Sequence, residues 1–216
     1  MNVNKVYCLF EQSGTFKNIF LKKGINTIDI DIDNQFNETD LIIDLFKCID
    51  KLPNGYLAQI TKDDLIIAFF PCTWFSDYNA LILNGKWKNF KNWNDFDKNR
   101  YIEKRRRSQR SAANLLIKLI RYCKFNEIPL IIENPYSQYI INLLGKPNIK
   151  HNRNIYGDIY KKPTVWYTYN CTINEDKMIK YNSEIKDSVE NKRGIERSLI
   201  YPIYAENLIN AIEIIK

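Results

Sequence analysis

The chain has 216 residues, 45% hydrophobic and 26% charged, which suits one folded domain with a real core and argues against disorder. Its formal net charge of +7 favours a polyanionic partner such as nucleic acid. Five scattered cysteines with no CxxC pair argue against a disulfide framework and for a reducing, cytoplasmic setting, and a single His151 leaves no Cys–His cluster with zinc spacing, so no metal is expected.

The opening MNVNKVYCLF lacks a signal-peptide pattern, and no apolar run has membrane-spanning length. Lys5 to Phe10 reads as a strand, followed by a turn from Glu11 to Thr15. A short helix then runs from Phe16 to Lys23, with Phe16, Ile19 and Phe20 on one face and Gly24 closing it. Asn26 to Asp33 alternates apolar and acidic residues as a strand does. Leu41 to Ile43 is a third strand candidate, followed by Asp44 and a helix through Ile49. Leu65 to Phe69 is a continuous apolar run, the pattern of a strand covered on both faces.

Ser108 to Phe125 carries the clearest helical stripe, and Leu130 to Glu133 follows as another buried strand. Thr164 to Tyr169 is a strand, and Pro202 opens a last helix with Ala205, Leu208, Ile209, Ile212 and Ile215 inward. Strands alternating with helices imply an α/β fold: one doubly wound, mainly parallel sheet in a single domain, residues 1–216. Ser76 to Lys104 and Asn170 to Glu196 show no periodicity and read as long loops.

Three groups of residues carry chemistry. Gly14 lies in the turn after the first strand, where a glycine lets backbone approach a ligand, and Asp31 closes the second strand, where a carboxylate can take ribose hydroxyls. Cys72 and Glu133 follow successive strands, which would set a thiol and a carboxylate side by side at one sheet edge. A thiol can attack an electron-poor ring carbon while a carboxyl group holds or protonates the same ring. Residues 84–110 hold ten cations, Arg105, Arg106 and Arg107 among them, against three carboxylates, with Trp87, Phe90, Trp93 and Phe96 interleaved. Cations attract phosphates and aromatic faces stack on bases.

In their order, these residues resemble the cytosine carbon-5 DNA methyltransferases, in particular the short phage- and bacterium-encoded branch. FFPCT stands where that family has PPC, IIENP where it has ENV, and LFEQSGT where it has a glycine-rich turn. The resemblance implies a Rossmann-like class I methyltransferase fold that binds S-adenosylmethionine through Phe10, Gly14, Asp31, Asp44 and Pro71. It implies Cys72 as nucleophile, Glu133 as the ring-holding acid, and substrate contacts from Asn134 and Lys162. The basic loop, residues 76–107, would close over DNA, and residues 170–196 would be a reduced recognition insertion.

The pattern departs from the family in places. Phe70 replaces the first proline of PPC, Thr73 a glutamine, and the turn keeps one glycine; KKPT at Lys161 to Thr164 stands where a QxRxR motif is expected. Two alternatives therefore stay open. One is an amino-methylating enzyme using Asn134-Pro135-Tyr136. The other is a catalytically silent protein of the same fold that binds nucleic acid or a protein.

Overall fold

The computed structural model describes residues 2–181, 187–188 and 199–215. In chain order these form β1 (Val6–Leu9), α1 (Thr15–Lys22), β2 (Thr27–Asp31), β3 (Leu41–Ile42), α2 (Leu45–Asp50), β4 (Leu65–Ala68), α3 (Asp77–Leu83), α4 (Asp95–Phe125) and β5 (Leu130–Pro135). There follow α5 (Gln138–Leu144), β6 (Ile149–Asn152), β7 (Tyr160–Lys161), β8 (Pro163–Tyr169), β9 (Cys171–Ile173), β10 (Asp187–Ser188), α6 (Pro202–Asn210) and β11 (Ile212–Ile214).

Seven strands make one sheet in the order β3-β2-β1-β4-β5-β8-β6. The five from β3 to β5 run parallel, and β1, β4 and the start of β5 have the continuous apolar run of strands covered on both faces, whereas β2 alternates apolar and acidic residues. β8 runs antiparallel to β5, and β6 antiparallel to β8. The period-two alternation of each central strand sorts its residues into two cores. Tyr7, Leu9, Ile66, Ala68, Leu130 and Ile132 join the layer under α2, α4 and α5. Val6, Cys8, Leu65, Ile67 and Ile131 join the layer under α1 and α6. The fold is thus α/β, a mostly parallel sheet flanked by helices.

The antiparallel strand has a consequence for the site. β5 ends at the carboxyl edge of the parallel strands, and β8 begins there, with Pro135 opposite Thr164. Residues just before β8 therefore arrive beside residues at the end of β5.

Several expectations need correction. The basic segment is not a loop. Asn94 caps α4, its side chain accepting from Asp97 N at 2.8 Å, and Asp95 and Asp97 occupy the first turn where the helix dipole favours acids. α4 is 31 residues, about 46 Å at 1.5 Å per residue. Its second half lies on the sheet through Ala112, Leu116, Leu119 and Cys123. Its first half packs with α3 around Ile82, Phe90 and Ile102, a small satellite core. Cys48 is half-buried, whereas Cys123 is buried on the inner face as its spacing implies.

The last helix stops at Asn210. Ile212 belongs to β11, which pairs antiparallel with β9, and Ile215 is exposed. Of the expected insertion, residues 170–181 are described and include β9 and a short turn of helix, Glu175–Lys177; most of the remainder lies outside the described residues. The short strands β7 and β10 pair with each other. His151 sits in a polar network: Nε2 meets Tyr204 Oη at 2.7 Å, Nδ1 meets Glu175 Oε1 at 2.9 Å, and Trp166 Nε1 donates to the same tyrosine oxygen. Among the described residues no helix is long and apolar enough to cross a membrane.

Candidate active site

In this sheet the chain reverses its winding between β1 and β4, and open α/β sheets bind ligands at the carboxyl edge of such a point. A cavity of about 370 Å³ opens there. Phe10 follows β1, Asp31 closes β2, Pro71 and Cys72 follow β4, Glu133 lies in β5 and Lys162 precedes β8; all six line it. Gly14, Asp44, Asn134 and the three arginines do not line it.

The β1–β2 side of the cavity is walled by a carboxylate and aromatic rings. Asp31 is 5% exposed, and its Oδ1 accepts from Asp33 N at 2.9 Å. Burial pushes its carboxyl above the usual carboxylate range, against the pull of the Asp33 and Ile32 backbone amides. Phe10 takes φ 60, a left-handed conformation that a bulky residue rarely adopts. Its ring lies edge-on to Phe70 at 5.0 Å and near Phe46 at 5.5 Å, so Phe10, Phe46 and Phe70 make an aromatic wall.

Gly14 shapes the turn without touching the cavity. It caps α1 at φ 66, and a Cβ there would lie 2.6 Å from Glu38 Oε2. Asp44 caps α2: its carboxylate accepts from Lys47 N at 3.3 Å and pairs with Lys47 Nζ at 3.3 Å. The cavity wall here is its neighbours, Leu45 and Phe46.

The β4–β5 side holds the reactive groups. Cys72 is half-buried and starts a short turn of helix, Cys72–Trp74, directly after Pro71. Glu133 is 6% exposed, and its Oε1 is buried with no hydrogen-bond partner among the described residues. A buried carboxylate oxygen without a donor is costly unless a ligand supplies one. Lys162 is half-buried, and loss of water pulls its pKa below the ordinary lysine value. Attraction to Glu133 and, less strongly, to Cys72 opposes that fall, while Arg153 adds to it. Arg153 is itself fully buried and paired to Asp158 at 3.1 Å.

Other expected site residues act at one remove. Asn134 is fully buried, and its Nδ2 donates to Phe70 O at 2.8 Å, which ties β5 to the segment carrying Cys72. Arg105 reaches the same segment from α4. Its Nε and Nη2 donate to Asn79 Oδ1 at 3.0 and 2.8 Å, Nη2 donates to Thr73 O at 3.1 Å, and the guanidinium lies 4.7 Å from the centre of the Trp74 ring. Arg106 pairs with Glu103 at 2.7 Å, and both Arg106 and Arg107 are exposed.

The interleaved aromatics divide. Trp87 stacks on Tyr101 at 5.8 Å and Phe90 is buried, whereas Trp93 and Phe96 remain exposed, Phe96 by 76%. A second, open hollow lies beside Trp93, Arg100, Tyr101 and Lys104.

Sequence reasoning missed Glu11. It lines the cavity, and its Oε1 accepts from Ser13 Oγ at 2.6 Å and Thr15 N at 2.8 Å, so it supplies the first turn of α1 with the side-chain bond that Gly14 at the N-cap cannot make. A carboxylate between an apolar strand and Ser-Gly was the available signal. Arg153 carried none, because its partner Asp158 is recognised only once the chain is folded. A scan of the chain against protein-family models finds no match, and a search among curated proteins finds none.

Proposed function

We propose that this protein is a class I, Rossmann-like methyltransferase that uses S-adenosylmethionine to methylate carbon 5 of cytosine in DNA, through a covalent adduct of Cys72, in the cytoplasm. The observation that carries this reading is the meeting of Cys72, Glu133 and Lys162 with Phe10, Asp31 and Pro71 around one cavity at the sheet's switch point. The fit to the cofactor rests on that cavity. Its volume is within the range of small-molecule sites, it has an aromatic wall, and a carboxylate closes β2. Asp31 would hold the ribose hydroxyls, with Phe10, Phe46 and Pro71 against the apolar parts. Bound there, S-adenosylmethionine supplies an electrophilic methyl group.

The chain's own residues then divide the work. Cys72 Sγ adds to carbon 6 of an extruded cytosine, since the target edge is stacked inside a duplex. The electron pair displaced from the 5,6 double bond makes carbon 5 nucleophilic. Glu133 gives a proton to ring nitrogen 3 as the thiol adds and accepts from the amino group, which gives its partnerless oxygen the donor it lacks. Lys162 balances negative charge beside both groups. After methyl transfer the carbon-5 proton passes to water, its electron pair re-forms the 5,6 double bond as Cys72 departs as a thiolate, and nitrogen 3 returns its proton to Glu133. The amino-methylating alternative draws less support, because Asn134 is buried and its amide is engaged with Phe70 O.

The test is labelled methyl transfer to DNA by wild type and Cys72→Ser, with a second arm using DNA that contains 5-fluorocytosine. Wild type is expected to methylate the first and form a stable adduct with the second, because fluorine blocks the last elimination. Cys72→Ser should do neither. Full methylation by Cys72→Ser would overturn the proposal.

A further inference from the structure

A second set of reactive groups lies behind the cavity, on the α1 side of the sheet. Cys8 in β1 and Asp29 in β2 sit directly opposite each other across the parallel ladder. Glu11, two residues past β1, reaches the same point. The Cys8 thiol and one carboxylate oxygen from each acid lie within 4.8 Å of one another, and all three residues are buried.

Closeness alone would not make this a site. The second observation is the bonding of the carboxylates. Asp29 is fully buried, yet neither of its side-chain oxygens has a hydrogen-bond partner among the described residues. Glu11 is 6% exposed; Ser13 and Thr15 hold Oε1, while Oε2 is buried without a partner. The three oxygens therefore face only the other members of the cluster, Asp29 lying against Glu11 and Cys8, and no well-aligned donor from the surrounding protein meets them. The cation beside them, Lys17, bonds elsewhere: its Nζ lies 3.2 Å from Asp40 Oδ1 and 3.4 Å from Glu38 Oε2. Without a cation, burial favours the uncharged form of each of these groups. Burial and the Glu11 charge push Asp29 up to about 10, and burial raises the Cys8 thiol well above its usual value. A cation inverts that logic by replacing the protons.

We propose that Cys8 Sγ, Glu11 Oε2 and an Asp29 carboxylate oxygen bind one divalent cation of zinc-like softness. A thiolate selects against magnesium and calcium, and two carboxylates complete a donor set that zinc accepts. Bonds of about 2.0–2.3 Å in tetrahedral geometry set donors roughly 3.3–3.8 Å apart, so donors now within 4.8 Å of one another would close in by up to about 1.5 Å. Binding displaces the thiol proton and the protons shared by the carboxyls to solvent; the ion's two charges offset two of the three anions, and Lys17, already paired with Asp40 and Glu38, attracts the third only from beside the cluster. Ser13 and Thr15 fix the Glu11 carboxylate from behind, as outer partners of metal ligands do. Glu11 lines the main cavity, which gives the ion a way in. Cys8 and Asp29 stand 21 positions apart, so no spacing motif announces the site; only the pairing of β1 with β2 brings them together.

The test uses the full chain, stripped with a chelator and titrated with Co²⁺ alone and then Zn²⁺ alone. One equivalent of Co²⁺ should develop a thiolate-to-cobalt charge-transfer band, Zn²⁺ should bleach it, and either metal should raise Tm. Cys8→Ser should lose the band. Asp29→Asn, which keeps the shape of a protonated acid, should fold and bind at least the ~10–100-fold more weakly that losing even an outer partner causes. Absence of stoichiometric uptake by wild type overturns the proposal and leaves a proton-sharing acid pair. So does an undiminished band in Cys8→Ser, which would place the thiolate at another cysteine.

Discussion

Replacing Arg105 with alanine separates two roles that the sequence leaves merged. As a phosphate contact, Arg105 would add to DNA affinity. In the fold it holds the turn that follows Cys72 through two bonds to Asn79 and one to Thr73 O. Removing it leaves Asn79 Oδ1, on a fully buried residue, without that partner, at about 1–3 kcal/mol. Water reaches the half-buried Arg105 position, so a loss of about 2 kcal/mol in stability is expected. The larger effect is on geometry. A shift of about 1 Å in a reacting group can cost ~100-fold in rate, so kcat should fall by ~10–100-fold. Arg105 does not line the cavity, so S-adenosylmethionine affinity should hold. Calorimetry, DNA binding and labelled methyl transfer on Arg105→Ala read the three quantities. Weakened DNA binding with unchanged kcat would refute the buttress role and restore the phosphate contact.

Further outcomes follow from other sites. Asp31→Ala should weaken S-adenosylmethionine binding by about 1.5–3 kcal/mol, and equal affinity by calorimetry would remove Asp31 from the cofactor site. Lys104→Gln with Arg107→Gln, both exposed on α4, should flatten the plot of log K for duplex DNA against log salt by about 0.9 for each phosphate no longer neutralised; an unchanged slope would move the DNA off this helix. His151 is held below its ordinary value of 6.5 by burial, against the pull of Glu175. The unfolded chain then takes up that proton first as pH falls, so the contribution of the neutral ring is present above about pH 6.5 and lost as pH drops through the folded value. Urea midpoints against pH should decline over that range for wild type and decline less for His151→Gln, and identical curves would exclude the histidine as the cause.

What was legible in the sequence follows from what each signal depends on. The strands β1, β4 and β5 are covered on both faces, so their apolar runs stand out, and the ends of those runs fix Cys72 and Glu133. The first half of α4 was not legible by periodicity. It packs on a small satellite core and is otherwise charged, so no stripe forms over Asp95 to Arg107. Its cap was legible, since Asn94 before two acids is a helix-start signal. Asp29 shows the opposite failure. Alternating Ile and Asp reads as one wet face, yet β2 is covered by α1 and Asp29 is fully buried. Roles carried by tertiary contacts, such as Arg105 on Asn79 or Asn134 on Phe70 O, had no local signature.

The position of Lys162 bears on the largest departure from the family pattern, the missing QxRxR motif. On the methyltransferase reading, that motif holds the glutamate and the base. Lys162 stands on the cavity wall because β8 runs antiparallel and starts where β5 ends. Its charge attracts Glu133 first and Cys72 next. One ammonium can therefore balance the glutamate, but it is a point charge with rotatable donors and lacks the planar fork of an arginine. Arg153 does not line the cavity: it is fully buried beside Asp158 and donates from Nη2 to Leu199 O, while its Nη1 has no hydrogen-bond partner among the described residues. On that reading the site keeps a cation in Lys162, while no arginine among the described residues lines the cavity. A site built this way depends for base positioning on Glu133 and on how firmly Asn134 and Arg105 hold the segment around Cys72. On that reading those two residues, neither of which lines the cavity, would carry the precision that the family pattern assigns to arginines.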